Sequence, residues 1–248
     1  MSVGTPEEAV IWHDIENGAY EADLELWREL ALGAGGPVLE VGCGTGRVAI
    51  DLARHGHHVL GVDIEPSFVS VLRERAAARN LEASAEVGDV RDFEVTGEFA
   101  LIVVPMQTIQ LLEDAAERHS ALESMRRALA PRGLIAVAIV EGDAGADESG
   151  TVGPPLPDVA EIDGWVYSSL PVELRTGDGK LVLSRLRQIV TPDGDLTDER
   201  VDITLAALDP GGLELEAEEA GLRPAGRREI AETNIHVGSA VVLLEAAP

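Results

Sequence analysis

Hydrophobic and polar positions follow two different rhythms along this chain of 248 residues. Up to about residue 140, short apolar runs alternate with helical periodicities, the pattern of a parallel sheet flanked by helices. Pro37–Val41, His58–Asp63, Ala83–Val87, Ala100–Val104 and Leu134–Val140 read as strands. Between them, Thr45–His55 carries Val48, Ala49 and Leu52 on one helical face. Pro66-Ser67 opens a second helix to Asn80, with Ser67 expected as its N-cap and Phe68, Val71 and Leu72 as its apolar stripe. Asp114 and Glu117 fit the start of a third, which runs to about Ala130 with Leu122, Met125 and Leu129 turned inward.

After residue 140 the period changes. Glu141–Pro157 is rich in Gly, Asp and Pro and reads as a loop. Trp165–Arg175, Leu181–Val190 and Leu196–Leu208 alternate with period two, and turn signals at Thr176–Gly179 and Pro192–Gly194 separate them. Three antiparallel strands with one covered and one wet face are expected. A short helix, Gly211–Ala220, and strands near Pro224–Glu229 and Val237–Leu244 would complete the main sheet.

Chemistry concentrates where the first strand ends, in Glu40-Val41-Gly42-Cys43-Gly44-Thr45-Gly46-Arg47. Three glycines in five residues let the backbone pass close to a nucleotide-like ligand at a strand tip. The spacing is G-x-G-x-G, and Arg47 fills the place of the last glycine of a dinucleotide loop. Glu40 would repel a pyrophosphate and suits an ammonium group. Asp63 ends the second strand 21 positions after Gly42, where a carboxylate can accept both hydroxyls of a ribose. Asp89 follows the third strand after Gly88, where it can accept an exocyclic amine.

This order of residues resembles the class I S-adenosylmethionine-dependent methyltransferases over roughly residues 36–140. The resemblance implies an α/β fold: a doubly wound, mostly parallel, seven-stranded Rossmann-like sheet with an N-terminal helical cap and an antiparallel meander insert. It divides the chain into a cap (1–35), a cofactor-binding core (36–140), a loop and meander acting as substrate lid (141–210), and a C-terminal helix with final strands (211–248). It places Glu40 and the loop Gly42, Cys43, Gly44 and Gly46 at the methionyl end, Asp63 at the ribose, and Ile64 against the adenine. Asp89 and the Val90 backbone would bind the adenine edge, and Pro105, which stops the fourth strand, closes the cofactor set. Trp12–Asn17 with Tyr20 and Asp23 is similar to the cap of small-molecule members, and the meander to the lid of sugar-amine N-methyltransferases. One departure stands out. The Asn/Asp-Pro-Pro-aromatic motif of many amine and nucleic-acid methyltransferases is replaced by Val103-Val104-Pro105-Met106-Gln107, which argues against N6-adenine DNA chemistry.

A sulfonium methyl needs no activation, so a base is required only for an acceptor that arrives protonated. His13, Tyr20 and His236 are the candidates; Gln107, Gln110, Trp165 and Arg185 are expected acceptor contacts, and Arg187 shares the Arg185 face. His55, His57 and His58 read as solvent-facing, and no metal is expected, although the Glu141, Asp143, Asp147, Glu148 loop holds carboxylates.

Composition narrows the partners. Nineteen Lys+Arg stand against 45 Asp+Glu, a net charge of −26, which repels nucleic acid and anionic membrane surfaces. No apolar run approaches the roughly 20 residues of a membrane span, and the first ten residues hold no Lys or Arg for a signal peptide. Cys43 alone makes no internal disulfide. A cytoplasmic enzyme acting on a small molecule is expected, as monomer or homodimer. Its rivals are a protein of this fold that binds the cofactor without methylating and, on Gly42, Gly44 and Asp63 alone, an NAD(P)-dependent oxidoreductase.

Overall fold

Burial sets the order of the strands. In a computed structural model that describes residues 5–141, 156–233 and 236–247, the most apolar runs occupy the middle of a seven-stranded sheet. β1 (Val38–Val41) is buried along its whole length, and β4 (Phe99–Val104) nearly so. β2 (Val59–Asp63) lies beside β1, and the more polar β3 (Ala83–Val87) takes the edge. β5 (Leu129–Ile139) pairs parallel with β4. β10 (Leu222–Ile230) and β11 (Ser239–Ala246) complete the order β10-β11-β5-β4-β1-β2-β3, with β11 antiparallel to both neighbours. From β1 the chain winds outward through β2 and β3, then returns to β4 on the other flank. The β1/β4 boundary is therefore the switch point, where a crevice opens at the strand tips.

Alternate side chains of each strand feed two cores. Leu39, Val41, Ile102 and Val104 pack with α5 (Ala115–Ala128) and α6 (Pro210–Glu219) through Leu122, Met125 and Leu213. On the other face Val38, Leu101 and Val103 meet Trp27 of α2 (Leu24–Ala34), Leu52 of α3 (Arg47–Arg54) and Leu72 of α4 (Pro66–Ala78). α1 (Pro6–Asn17) starts with a capping box: Glu8 N donates to Thr5 Oγ1, and Thr5 N to the Glu8 carboxylate. No helix among the described residues is long and apolar enough to cross a membrane.

Two local expectations change. The cap of α4 is Glu65, whose carboxylate accepts from Ser67 N and Oγ, so Ser67 lies inside the first turn. The meander has four strands instead of three, in the order β6 (Asp158–Ile162), β7 (Trp165–Gly177), β8 (Lys180–Val190), β9 (Leu196–Ala206). β6 pairs with the start of β7 through a two-residue turn, Asp163-Gly164, both with positive φ, which matches the twist of a hairpin.

The insert is fastened at its base by Gln110. This side chain is fully buried. Its Nε2 donates to the carbonyls of Val140 and Ala206, and its Oε1 accepts from Val140 N at 2.8 Å. It thus ties the chain just beyond β5 to the end of β9, the two points between which the insert departs and returns.

Candidate functional site

Glu40 points to the α2/α3/α4 side of the sheet, where no water reaches it. Its residue is 3% exposed, and Oε2 has no hydrogen-bond partner among the described residues. Burial pushes its carboxyl up to about 8, against the lowering effect of the Arg47 charge and the Ala49 backbone. Arg47 is not free to neutralise it, because its guanidinium is held in a fork by Asp23 at 2.6 and 2.7 Å and also donates to the Tyr20 carbonyl.

Beyond Glu40 the first two glycines of the loop have no room for a side chain. Gly42 (φ +72°) and Gly44 (φ +51°) adopt left-handed backbone, and a Cβ would stand 2.3 Å from Thr108 Cγ2 at the first and 2.3 Å from His13 Nε2 at the second. Cys43 is buried with Sγ against Gly61, and its thiol is pushed up by that burial. It belongs to the core as well as to the loop.

Asp63 braces the loop: Oδ2 accepts from Gly44 N at 2.8 Å and Oδ1 from Glu65 N at 3.0 Å. Each oxygen keeps a second lone pair for a ribose hydroxyl. Ile64 follows, 64% exposed, an apolar face left open beside the acid. Asp89 is held by the Arg91 guanidinium and backbone N–H, which keep its carboxyl below the usual range, and Arg91 also reaches Glu117. Val90 packs on the core and Pro105 is buried.

The cap lies over this loop. The His13 ring stacks on Phe68 at 4.5 Å, and its Nδ1 is 3.3 Å from Thr45 Oγ1. That hydroxyl donates to Asp14 at 2.6 Å. Burial would raise the Asp14 carboxyl; hydrogen bonds from His13, Arg75 and Thr45 outweigh it and hold Asp14 well below the carboxylate range. Tyr20 is buried and stacks on His236 at 4.7 Å. Burial lowers the His236 imidazole pKa and, with the Asp23 charge, raises that of the Tyr20 phenol.

Beyond β4, Met106 (φ 49°) and Gln107 (φ 60°) are successive non-glycine residues in left-handed backbone, a conformation that costs about 1 kcal/mol or more each. The turn presents the Gln107 amide to Ser239 Oγ at 3.2 Å. The structure thus brings Tyr20 to His236 and Gln107 to Ser239.

Two expected acceptor contacts, Gln110 and Arg185, are placed otherwise. Gln110 has both amide atoms engaged in fastening the insert, so it is closed to a substrate. Arg185 is buried, with Nε on Ser169 Oγ at 2.8 Å and Nη2 on Asp158, so its charge is already met. Trp165 is 40% exposed and opens β7 opposite Ile162 in the hairpin with β6. His55 and His58 face Asp51 and Glu82 near the surface, and no group of three or more metal-ligating side chains occurs among the described residues. Asp143, Asp147 and Glu148 lie outside the described residues. Sequence reasoning missed the ion pairs Arg75–Asp14 and Arg187–Glu16; only the helical spacing of Trp12 and Glu16 hinted that one face of α1 is shared.

Residues 38–133 match the family described as Methyltransferase domain. Over 171 residues the chain is 35% identical to the S-adenosyl-L-methionine-dependent Diels-Alderase iccD of Talaromyces variabilis, covering 66% of this chain and 56% of that protein. The chain spans about half the length of the curated relatives it matches. In fold it is similar to the sugar N-methyltransferase KedS8 of Streptoalloteichus sp ATCC 53650, with a TM-score of 0.75 at 16% identity over 97% of this chain and 93% of that one. It is also similar to an S-adenosylmethionine-dependent methyltransferase of Clostridium acetobutylicum ATCC 824, with a TM-score of 0.72 at 12% identity over 98% of both chains. The glycine loop, Asp63 and Asp89 fall inside the segment that matches the methyltransferase domain.

Proposed function

We propose that this chain transfers a methyl group from S-adenosylmethionine to a nitrogen, oxygen or carbon atom of a small-molecule acceptor. The observation that carries the reading is Glu40. A buried carboxyl with an unpartnered oxygen among the described residues, beside a glycine loop, suits an ammonium group. A pyrophosphate would meet it as a like charge. Glu40 then takes the amino group of the cofactor, the Gly42–Gly46 backbone its methionyl stem, Asp63 the ribose, Ile64 the adenine face, and Asp89 with the Val90 N–H the adenine edge.

The bound cofactor supplies an electrophilic methyl on a sulfonium. What remains for this chain is alignment of the acceptor and exclusion of water. The cap (1–35) and the meander within 141–210 close the crevice. Gln107, oriented by Ser239, aligns the acceptor. His236 receives a proton where the acceptor carries one: burial keeps its imidazole neutral, and its ring is braced on Tyr20. His13 is the weaker candidate, because its Nε2 lies against Gly44 at the methionyl end. The charge of −26 and the buried lone thiol favour a cytoplasmic protein acting on small molecules and not on nucleic acid.

Calorimetric titration with S-adenosylmethionine, S-adenosylhomocysteine and NADH tests the site, and an acceptor screen that reads S-adenosylhomocysteine formation tests the reaction. Both sulfur ligands should bind, and NADH should not; binding of NADH alone overturns the reading. A second reading has one observation behind it: the relative from Talaromyces variabilis is named a Diels-Alderase. Under it the cofactor is bound and not consumed, and the product carries no added methyl.

A further inference from the structure

Adjacent stripes of α1 grip two different parts of the molecule. His13 and Asp14 face the glycine loop and α4. The His13 ring lies on Gly44 and Phe68, and Asp14 takes the Thr45 hydroxyl and the Arg75 guanidinium, which also donates to the Thr45 carbonyl at 3.1 Å. Trp12 and Glu16, one turn apart, face the meander. Trp12 meets Tyr167 edge-on at 5.5 Å and carries the Arg187 guanidinium over its ring at 5.1 Å. The Glu16 side chain is 7% exposed. It accepts a fork of two bonds from Arg187, each 2.7 Å, and a third from Ser169 Oγ at 2.7 Å.

We propose that Glu16 is a positioning residue that makes the meander follow the cofactor loop. The inference rests on the cofactor reading above. The His13 ring stands where a Gly44 Cβ would lie, so a ligand that shifts the Gly44 backbone also shifts the ring. Three to four residues of one helical turn move as a body. The shift at His13 and Asp14 therefore reaches Trp12 and Glu16. A buried bidentate pair cannot slide without stranding a charge, so β8 and β7 shift with the helix. The base of the insert stays pinned at Gln110, so the motion is a tilt of the sheet about that point. Cofactor occupancy would thus set the lid before an acceptor arrives. By reciprocity, an acceptor that holds the lid down would tighten the cofactor by the same factor.

Hydrogen–deuterium exchange on the full chain, with and without saturating S-adenosylhomocysteine, tests this. In the wild type the ligand should slow exchange at residues 42–46 and also in β7 and β8, the latter by about 5- to 150-fold, the usual range of coupling between sites. In Glu16→Gln the loop should remain protected while the β7 and β8 response is lost. Asp14→Asn, which cuts the relay at its other end, should lose the same response although it touches no lid residue. Arg200→Gln breaks an exposed pair with Glu173 within the meander, away from the cap, and should keep it. If Glu16→Gln does not fold, Arg187→Lys, which keeps the charge and loses the fork, carries the test from the lid side. Equal lid protection in Glu16→Gln and the wild type overturns the proposal, as does a protected loop with an unresponsive lid in the wild type. No protection even at residues 42–46 overturns the cofactor reading, and the coupling with it.

Discussion

Replacing Glu40 by Gln should strengthen the empty protein and disable the site. The folded carboxyl has a pKa of about 8, against 4.5 for the ordinary glutamate. The folded chain therefore holds a proton that the unfolded chain has released, and stability falls as pH rises from about 4.5 to about 8, then levels off. This is the reverse of a salt-bridged carboxylate. The interval corresponds to roughly 3–5 kcal/mol of destabilisation above pH 8. Glu40→Gln removes that penalty, so its Tm at pH 8.5 should exceed the wild-type value, with little difference at pH 4.5. Ligand binding reverses the proton balance. An ammonium beside Glu40 favours the ionised form, so at pH 7 binding should release about 0.9 proton, since roughly one site in eleven is ionised beforehand. Affinity should fall about tenfold per unit as pH drops below 7. Calorimetry of S-adenosylhomocysteine in phosphate and in Tris gives the proton count from the difference in apparent enthalpy. 5′-Methylthioadenosine, which lacks the amino-acid end, is the control and should release none. A proton count near zero at pH 7, or equal counts for the two ligands, would refute the placement of the ammonium at Glu40.

Other residues give sharper single outcomes. Asp63→Ala removes a carboxylate that braces Gly44 N and faces the ribose position. Two charge-assisted bonds are worth about 3 kcal/mol or more together, so binding of S-adenosylhomocysteine should weaken at least ~100-fold by calorimetry. Gly44→Ala puts a Cβ 2.3 Å from His13 Nε2 at a positive φ; it should lower stability by about 1–3 kcal/mol in urea and weaken the ligand, while Gly177→Ala, with open space around it, should do neither. Gln110→Leu leaves the Val140 N–H and the Val140 and Ala206 carbonyls without their amide partner, and should cost about 2–4 kcal/mol in denaturant unfolding.

The strands were legible where burial is two-sided. Val38–Val41 and Phe99–Val104 are continuous apolar runs because helices cover both faces of the central sheet. β6 escaped notice because Asp158–Ile162 mixes acids with apolar residues at a sheet edge and is mostly exposed. The ends of β5 and β11 shifted by a few residues because pairing, not hydropathy, decides where a ladder stops. In the site, the acids and glycines were readable because their chemistry depends on local spacing: Glu40 to Gly46 is one turn, and Asp63 ends the neighbouring strand. Gln110 and Arg185 look from sequence like Gln107 and Arg187, polar groups near a strand tip or on a meander face. What sets their roles is which groups they bond, and the decisive partners lie far away in the chain. Gln110 is bound 96 residues on, at Ala206, and Arg187 171 residues back, at Glu16.

Those distant partners follow one arrangement. The cap supplies carboxylates, Asp14, Glu16 and Asp23, to arginines from α4, β8 and the start of α3. In a chain with 45 acids and 19 basic residues, four of the scarce cations, Arg47, Arg75, Arg185 and Arg187, pair with carboxylates in ten residues of the cap. Surface pairs of that kind contribute little to stability, but the Asp23 and Glu16 side chains are 1% and 7% exposed, where breaking a pair strands a charge. Apolar packing of α1 alone would leave the helix free to slide along the sheet, because hydrophobic contact is non-directional. Forked ion pairs fix its register. A fixed register is what a cap needs if His13 is to stay on the glycine loop while Trp12 and Glu16 stay on the lid. The same logic accounts for Arg47 at the position where a dinucleotide loop has glycine: its guanidinium anchors the cap through Asp23, and so leaves Glu40 without a fixed counter-ion and open to a cationic ligand.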